Sequence, residues 1–264
     1  MSRSMWLRIG GLVLVAAFIP MSAALAQLPN SMAVIGDSIS QAALSDDSID
    51  PNQPEHSWST GNSGSDPVFS HYERILASNP GISGRNHNNS ENGADSGDLV
   101  AQANQTVSQG VEYVTILIGG NDVCAGSTAG MTSVAEYTSR FNQAIDILQA
   151  GLPGSIILVV EVPNVGRIYD VGRFDFWCLV KWDTFGFCDN MLTNGSTQRN
   201  AAKARNVEYN NALRTLSSQQ GVFFDDDTFE INFSKGSLSN IDCFHPDMSL
   251  QATLASVTYS ASRF

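Results

Sequence analysis

The segment that decides the fold covers residues 33–40 and reads AVIGDSIS. The apolar run over residues 32–35 predicts a short buried strand, and Gly36 permits a tight turn directly after it. Ser38 then stands just beyond the carboxyl end of that strand, where open α/β sheets place their ligands. The pattern therefore makes Ser38 a candidate nucleophile at one edge of a sheet.

Strand and helix patterns alternate along the rest of the chain. The strand patterns are a weak one over residues 83–88, the clearest one over residues 113–118, and further ones over residues 156–162 and 222–224. Helix patterns cover residues 67–78, part of 93–109, 133–150, 196–217 and the region around 250–257. In the fourth of these helices we expect Val207, Asn211 and Leu216 to face the core. Regular alternation of this kind indicates a parallel sheet with helices on both faces.

The residues that could activate Ser38 lie near the other end of the chain. A serine hydroxyl needs a base to become a nucleophile, and His245 supplies one. Asp242, three residues earlier, can accept a hydrogen bond from the other ring nitrogen and fix the tautomer. Asn121 follows the 113–118 strand and offers a neutral amide, a donor suited to an oxyanion. The pattern predicts a serine hydrolase site. The Gly-x-Ser-x-Gly elbow of α/β-hydrolases is not met, because position 40 is Ser40.

These blocks together resemble the SGNH (GDSL-type) hydrolases. In that family the serine lies in a Gly-Asp-Ser block, and an Asp-x-x-His pair completes the catalytic set. A glycine of a second block and an asparagine of a third supply the oxyanion hole together with the serine amide. The resemblance implies catalytic roles for Ser38, Asp242 and His245, and an oxyanion hole formed by Ser38, Gly93 and Asn121. Gly97 is the alternative glycine of the second block.

Further segments are similar to the phospholipase-B-like branch of the same family. They are SWS at 57–59, IGGNDVC at 118–124, VVEV at 159–162 and DCFH at 242–245. The resemblance implies a three-layer α/β/α, flavodoxin-like domain with a five-stranded parallel sheet. It also implies hydrolysis of a small-molecule or lipid ester, with phospholipid and lysophospholipid among the candidates, through an acyl-serine intermediate, with no metal and no cofactor.

Two other functions are compatible with this sequence. A carbohydrate O-acetylesterase of the same fold would share every catalytic residue. Exposed aromatic side chains along a shallow groove would favour such a sugar substrate, whereas a deep apolar pocket would favour acyl chains. The third possibility is a secreted binding protein without catalysis, against which the complete set of catalytic residues counts.

The first 26 residues have the features of a secretory signal peptide. Arg3 and Arg8 precede or flank an apolar core over residues 10–19, and a small-residue cleavage site ends at Ala26. The apolar run is too short to span a bilayer. We therefore expect residues 27–264 to form one hydrolase domain, a secreted or periplasmic monomer without an integral membrane segment. It keeps twelve basic residues against 26 acidic ones, a net charge of −14, which argues against nucleic acid as a partner.

Four cysteines in an exported chain predict two disulfides, for which three pairings exist. We favour Cys178–Cys188 because the two lie close in sequence, which leaves Cys124 to pair with Cys243. A zinc site is disfavoured because no Cys-x-x-Cys pair is present. The run Asp225-Asp226-Asp227 could hold calcium, but without EF-hand spacing a solvated turn is the favoured interpretation.

Six aromatic residues crowd into residues 174–187 without a clean period. They suggest an excursion from the alternating fold and not another strand. Two interpretations are open: a satellite hydrophobic cluster beneath a long loop, or a wall of the acyl-binding site. The six residues are Phe174, Phe176, Trp177, Trp182, Phe185 and Phe187.

Overall fold

The computed structural model describes residues 27–262 and 264, and its centre is a parallel five-stranded sheet. The strands are β1 (Met32–Gly36), β2 (Asn86–Asn88), β3 (Tyr113–Leu117), β4 (Ile156–Val160) and β5 (Phe223–Asp225). They lie in the order β2-β1-β3-β4-β5, and each neighbouring pair is parallel. The predicted signal peptide falls on residues 1–26, which lie outside the described residues.

Helices cover both faces of this sheet. They are α1 (His71–Ser78), α2 (Leu99–Gln109), α3 (Gly120–Val123), α4 (Val134–Gly151), α5 (Val165–Gly172), α6 (Phe176–Phe185), α7 (Asp189–Leu192), α8 (Ser196–Gln220) and α9 (Met248–Ala261). Ala33 and Ile35 of β1 face a core cluster shared with α2, α4 and α8, whereas Met32 and Val34 face one shared with α1 and α9. This alternation of side chains across a strand confirms the predicted three-layer α/β/α fold. No helix of the described residues is both long and apolar enough to cross a membrane.

Helix α8 buries a different face from the one that its apolar residues suggested. Leu216 is buried as expected, but Val207 is 44% exposed and Asn211 is exposed as well. The buried face instead carries Asn210, whose side chain accepts a hydrogen bond from the Val162 amide (2.8 Å) and donates one to the Val162 carbonyl (3.0 Å). Asn210 thus satisfies the backbone just beyond β4 on the face of the helix that also buries Tyr209 and Leu213.

The structure contains two disulfides, as predicted, but their pairing is not the one we favoured. Cys124 bonds to Cys188, and Cys178 bonds to Cys243. Cys178 lies in α6 and faces the 243 loop, whereas Cys188 lies beyond the end of that helix, at the start of α7. A rigid helix thus separates two cysteines that are only ten positions apart in the chain, and sequence proximity was a poor guide to the pairing.

The acidic run after β5 also differs from the favoured interpretation. Asp225 is only 1% exposed and accepts a hydrogen bond from the Thr228 amide (3.3 Å), so it is not part of a solvated turn. Asp226 does lie at the surface, where it pairs with Arg214 (2.6 Å). Among the residues described here, no group of three or more His, Cys, Asp or Glu side chains is arranged to hold a metal ion.

Candidate active site

Ser38 lies in the turn that follows β1, and its hydroxyl oxygen is 2.8 Å from Nε2 of His245. The turn begins at Gly36 because β3 passes too closely for a side chain: a Cβ there would lie 2.3 Å from the Leu117 carbonyl oxygen. Gln102 of α2 fixes the same residue, accepting from the Gly36 amide (2.7 Å) and donating to its carbonyl (2.9 Å). The serine therefore projects from a backbone held on two sides.

Asp37 shapes the turn from inside. Its carboxylate accepts a hydrogen bond from the Ile39 amide (2.9 Å). Burial raises the pKa of Asp37 to about 7, although that amide and the nearby His245 act in the opposite direction. On the other side of the turn, Gln251 of α9 donates to the Ile39 carbonyl (2.8 Å) and accepts from the Trp58 amide (3.0 Å). Helices on both faces of the sheet thus position Ser38.

Asp242 is buried and orients His245. Its Oδ2 atom lies 2.5 Å from Nδ1 of His245, and its Oδ1 atom accepts hydrogen bonds from the amides of Phe244 (2.8 Å) and His245 (3.1 Å). Burial by itself would raise the pKa of Asp242. The bond to the imidazole, its charge and the two amides outweigh burial and hold the pKa below its ordinary value. Asp242 is therefore an ionised carboxylate that fixes the ring with Nε2 toward Ser38.

The loop that carries Asp242 and His245 is anchored at Cys243. This residue has a left-handed backbone (φ 56°), and its disulfide to Cys178 joins the loop to α6. The indole nitrogen of Trp182 donates to the Cys243 carbonyl (3.1 Å). On the opposite side of the loop, the Ser239 amide donates to the His245 carbonyl (2.8 Å). Covalent and hydrogen bonds together fix the position of the histidine.

Asn121 lies on the short helix α3 that follows β3, and it lines the same pocket as Ser38 and His245. Its side-chain amide donates one hydrogen bond to the Ala94 carbonyl (2.8 Å), which leaves the second N–H for another acceptor. The neighbouring Asp122 accepts from both the amide (2.9 Å) and the hydroxyl (2.5 Å) of Ser96. These contacts hold the segment around residue 94 beside Asn121.

The two candidate glycines of that segment differ in what their amides do. Gly97 donates its amide hydrogen to the Asp95 carboxylate (2.6 Å), within the turn that precedes α2. Gly93 has a left-handed backbone (φ 80°), and in the described part of the chain its amide donates to no partner. Gly93 is therefore the better candidate for an oxyanion donor. It does not line the pocket itself, but adjoins Ala94, to which Asn121 is bonded.

An apolar pocket opens beside Ser38 and His245. Its walls come from the turn after β1, the segment from β4 into α5, residues 228–238, the His245 loop and α9. The apolar lining residues are Ile39, Pro163, Val165, Ile168, Ile231, Phe233, Leu238, Phe244, Pro246, Leu250 and Leu254. The pocket therefore offers an apolar chain a path that begins at the serine.

The aromatic residues of the 174–187 segment do not line this pocket, so the prediction that they form a wall of the acyl site is not supported. Trp182 is buried in the core, and Phe174, Phe176, Trp177 and Phe185 are exposed. Phe187 adjoins the site: it stacks on Phe244 with 5.4 Å between ring centroids and meets the His245 ring edge to face at 6.1 Å.

Several residues that position the site were not identified as site residues from the sequence. Gln102, Asp122 and Gln251 are each at most 5% exposed and bind backbone or hydroxyl groups of other segments. A buried amide or carboxylate on a helix looks, in sequence, like any polar surface residue. Only the repeated occurrence of a polar residue at a position where the helical period calls for an apolar one, as at Gln102 between Leu99 and Thr106, could have indicated them.

The sequence profile of the GDSL-like lipase/acylhydrolase family matches residues 32–257. The chain belongs to this family. As a GDSL-like acylhydrolase it is a carboxylic ester hydrolase, and its five-stranded parallel sheet is the one that the family's solved structures share. The match begins at β1 and ends within α9, so it includes every block that carries a candidate catalytic residue.

Known proteins of similar sequence or structure were also found. Mouse phospholipase B1, membrane-associated (Mus musculus) is 31% identical in an alignment 137 positions long, and the match covers 44% of this chain and 9% of that protein. A protein from Parabacteroides merdae that is described as a GDSL-like lipase superposes with a TM-score of 0.59 at 15% identity. The match covers 90% of this chain and 98% of that one. A family 3 carbohydrate esterase from Clostridium thermocellum has a TM-score of 0.51 at 13% identity, covering 88% and 94%. The likeness to the solved structures shows the fold alone.

Proposed function

We propose that this GDSL-like acylhydrolase is an exported serine esterase that hydrolyses long-chain acyl esters of lipids, phospholipid or lysophospholipid among them. The observation that carries the proposal is the apolar pocket that begins at Ser38 and His245. A sugar hydroxyl or an acetyl group would bury little apolar surface against these aliphatic side chains, so they would add little to its binding free energy. A long acyl chain, by contrast, would bury its methylenes there. Each buried methylene contributes about 0.8 kcal/mol.

In the proposed mechanism, Nε2 of His245 accepts the proton of Ser38 while the serine oxygen attacks the ester carbonyl. The 2.8 Å contact between the two groups is within the reach required for this transfer. Collapse of the tetrahedral intermediate breaks the ester C–O bond, and the imidazolium returns its proton to the leaving alcohol. A water molecule, deprotonated by His245, then attacks the acyl-serine and releases the acid.

The oxyanion of both tetrahedral intermediates is assigned to three N–H donors. They are the amides of Ser38 and Gly93 and the side chain of Asn121. Neither backbone amide has an acceptor within the described residues, and Asn121 keeps one N–H unused. Donors that are fixed before the reaction stabilise the developing charge without reorganisation, and removing one typically costs about 3 kcal/mol in the transition state.

Two features support export. The predicted signal peptide precedes the hydrolase domain, and the chain contains two disulfides, which form and persist in oxidising compartments. We propose that the mature protein begins near Gln27 and acts in the periplasm or outside the cell.

A hydrolysis panel tests the substrate class. We expect kcat/KM to rise from p-nitrophenyl acetate to the octanoate and dodecanoate esters, and to be measurable on lysophosphatidylcholine but not on acetylated xylan. Ser38→Ala protein, which should be folded and inactive, controls for contaminating esterases. A preference for acetate and acetylated xylan over every longer ester would contradict the proposal and favour a carbohydrate O-acetylesterase.

A pair of variants locates the acyl chain in the pocket. Ile231→Trp adds bulk to a partly buried residue of the lining, and Val257→Trp adds slightly more bulk to a partly buried residue of α9 outside it. We expect Ile231→Trp to reduce kcat/KM on dodecanoate by about ten-fold or more relative to acetate, because about two or more methylenes lose their contacts. Val257→Trp should leave the ratio of kcat/KM on dodecanoate to kcat/KM on acetate at its wild-type value. If this ratio were the same in both variants, the acyl chain would not bind in the pocket beside Ile231.

A further inference from the structure

Exposed large hydrophobic side chains are concentrated on one segment of the surface. Of the nine such residues among those described, six lie within residues 174–185. We call them the α6 patch: Phe174, Phe176, Trp177, Leu179, Val180 and Phe185, which are between 39% and 84% exposed. Scattered apolar residues are ordinary at protein surfaces, but a contiguous patch marks an interaction site.

Helix α6 carries large apolar side chains on both of its faces, and Asp183 and Thr184 are exposed among those of the outer face. Cys178 and Trp182 form the face that packs into the protein, while Phe176, Trp177 and Val180 point to solvent. A surface helix normally opposes its buried stripe with charged or polar residues, and one that is apolar all round is normally covered. The outer face of α6 therefore has the composition of a surface that binds an apolar partner.

The patch is continuous with the candidate active site. The rings of Phe185 and Phe187 lie 5.3 Å apart, Phe187 stacks on Phe244 at 5.4 Å, and Phe244 meets His245 edge to face at 5.1 Å. Phe244 also lines the apolar pocket. An unbroken row of aromatic rings thus leads from the exposed patch to the catalytic histidine.

The charges around the patch identify the kind of surface it would contact. Residues 173–187 contain two basic residues, Arg173 and Lys181, and two acidic ones, Asp175 and Asp183, so this segment is neutral on a chain of net charge −12. The rest of the surface would be repelled by anionic lipid. A neutral aromatic segment fits a zwitterionic headgroup layer, where Trp and Phe sit with their rings at the boundary between water and acyl chains.

We propose that the α6 patch is an interfacial binding site that adsorbs the enzyme onto the surface of zwitterionic phospholipid. The proposal rests on the lipid esterase function proposed above. Adsorption through α6 brings His245 and the pocket mouth to the lipid surface, because the Cys178–Cys243 disulfide holds the helix against the catalytic loop. An ester carbonyl can then reach Ser38 without its acyl chain first crossing water. The patch acts on aggregated substrate and leaves the chemistry of a dissolved ester unchanged.

Vesicles of diether phosphatidylcholine test the proposal independently of hydrolysis, because their chains are joined by ether bonds that an esterase does not cleave. Trp58 and Trp182 are fully buried, so Trp177 is the exposed tryptophan of the described residues. We expect these vesicles to shift the tryptophan emission to shorter wavelength, and the shift to be absent from Trp177→Phe protein. Vesicles containing half diether phosphatidylglycerol should bind more weakly at low salt.

The double variant Phe176→Ala/Trp177→Ala should lose about a hundred-fold in vesicle partitioning, about ten-fold for each buried aromatic side chain. Phe69→Ala is the matched control, since Phe69 is 47% exposed but lies outside α6, and it should bind as the wild type does. Both variants should hydrolyse a dissolved butyrate ester at the wild-type rate, which shows that they are folded.

Three results would overturn the proposal. They are no binding of the wild type to the vesicles, equal binding by the double variant, and self-association that buries Trp177 when no lipid is present. The last would make the patch an interface between two copies of the chain. Vesicle binding by an enzyme that hydrolyses no ester would support the interfacial site and contradict the proposed function, so the two failures are distinguishable.

Discussion

Two regions of opposite construction meet at Cys243: the loop that carries Asp242 and His245, and the helix α6 to which Cys178 ties it. In the loop, small polar groups are buried and almost every one has a hydrogen-bond partner. On α6, large apolar side chains are exposed and have no covering layer. In the account proposed here these are separate requirements: the fixed polar geometry would serve bond cleavage, and the exposed apolar surface would serve contact with a lipid substrate.

Among the following substitutions, we expect the largest effect from one in the polar loop, at Asp242. We expect Asp242→Asn to lower kcat by a factor of about 10³–10⁴, because the amide can hold the imidazole in the wrong tautomer and no longer stabilises the imidazolium. Steady-state kinetics on a dissolved butyrate ester measure it. The variant should keep its far-UV circular dichroism spectrum. A loss smaller than ten-fold would remove Asp242 from the mechanism.

Asn121→Ala should have the next largest effect. The substitution removes one of the three proposed oxyanion donors, and we expect kcat to fall by a factor of about 10²–10³ with little change in KM. Asn121→Asp tests the same role differently, because it replaces the donor by an acceptor of nearly the same shape and should be at least as damaging. Variants that changed KM alone would indicate a role in ground-state binding.

The two disulfides form a matched pair that sharpens the comparison. They span 64 and 65 residues, so chain entropy predicts that each contributes the same amount to the free energy of unfolding, about 4 kcal/mol. Cys124→Ser/Cys188→Ser and Cys178→Ser/Cys243→Ser should therefore lose similar stability. Only the second variant should also lose kcat at a temperature where both are folded, because it frees the His245 loop from α6. Equal kcat values would mean that hydrogen bonds alone position the histidine.

A further prediction concerns the pH dependence of stability, through the buried carboxyl of Asp37. Burial raises its pKa to about 7 in the folded protein, from 3.8 in an exposed carboxyl. Between these values the folded state keeps a proton that the unfolded state has released, so the contribution of Asp37 to the free energy of unfolding falls as pH rises from about 4 to about 7. We expect Asp37→Asn to flatten the dependence of the free energy of unfolding on pH. Compared with the wild type at the same pH, the variant should therefore be more stable at pH 8 than it is at pH 4. Urea unfolding at both pH values measures it, and an unchanged slope would contradict the assignment.

The same contrast explains how far the sequence alone could predict the molecule. The strands and the chain positions of Ser38, Asn121 and His245 follow from local patterns: an apolar run that stops at glycines, or a histidine three residues after an aspartate. The sequence therefore predicted the fold class correctly, and the structure brings Ser38 within hydrogen-bond distance of His245. The catalytic roles of these residues stay predictions.

What the sequence could not predict depends on contacts between distant segments. The disulfide pairing depends on how α6 is oriented, and the burial of the polar Asn210 on α8 depends on the backbone beyond β4 that it satisfies. The aromatic segment was ambiguous for the same reason, because the same rings could line a pocket or face solvent. Composition indicates that such side chains need an apolar partner, but only the packing of α6 decides which side they present.

The measurement that tests the central claim most directly is covalent labelling with a fluorophosphonate, followed by peptide mass spectrometry. A serine reacts with this reagent when it is activated by a base and faces an oxyanion hole, so the reaction reports the whole constellation and not the serine alone. We predict a single modified residue, Ser38, and no labelling of His245→Ala protein. Modification of another serine, or full labelling of the His245→Ala variant, would contradict the account.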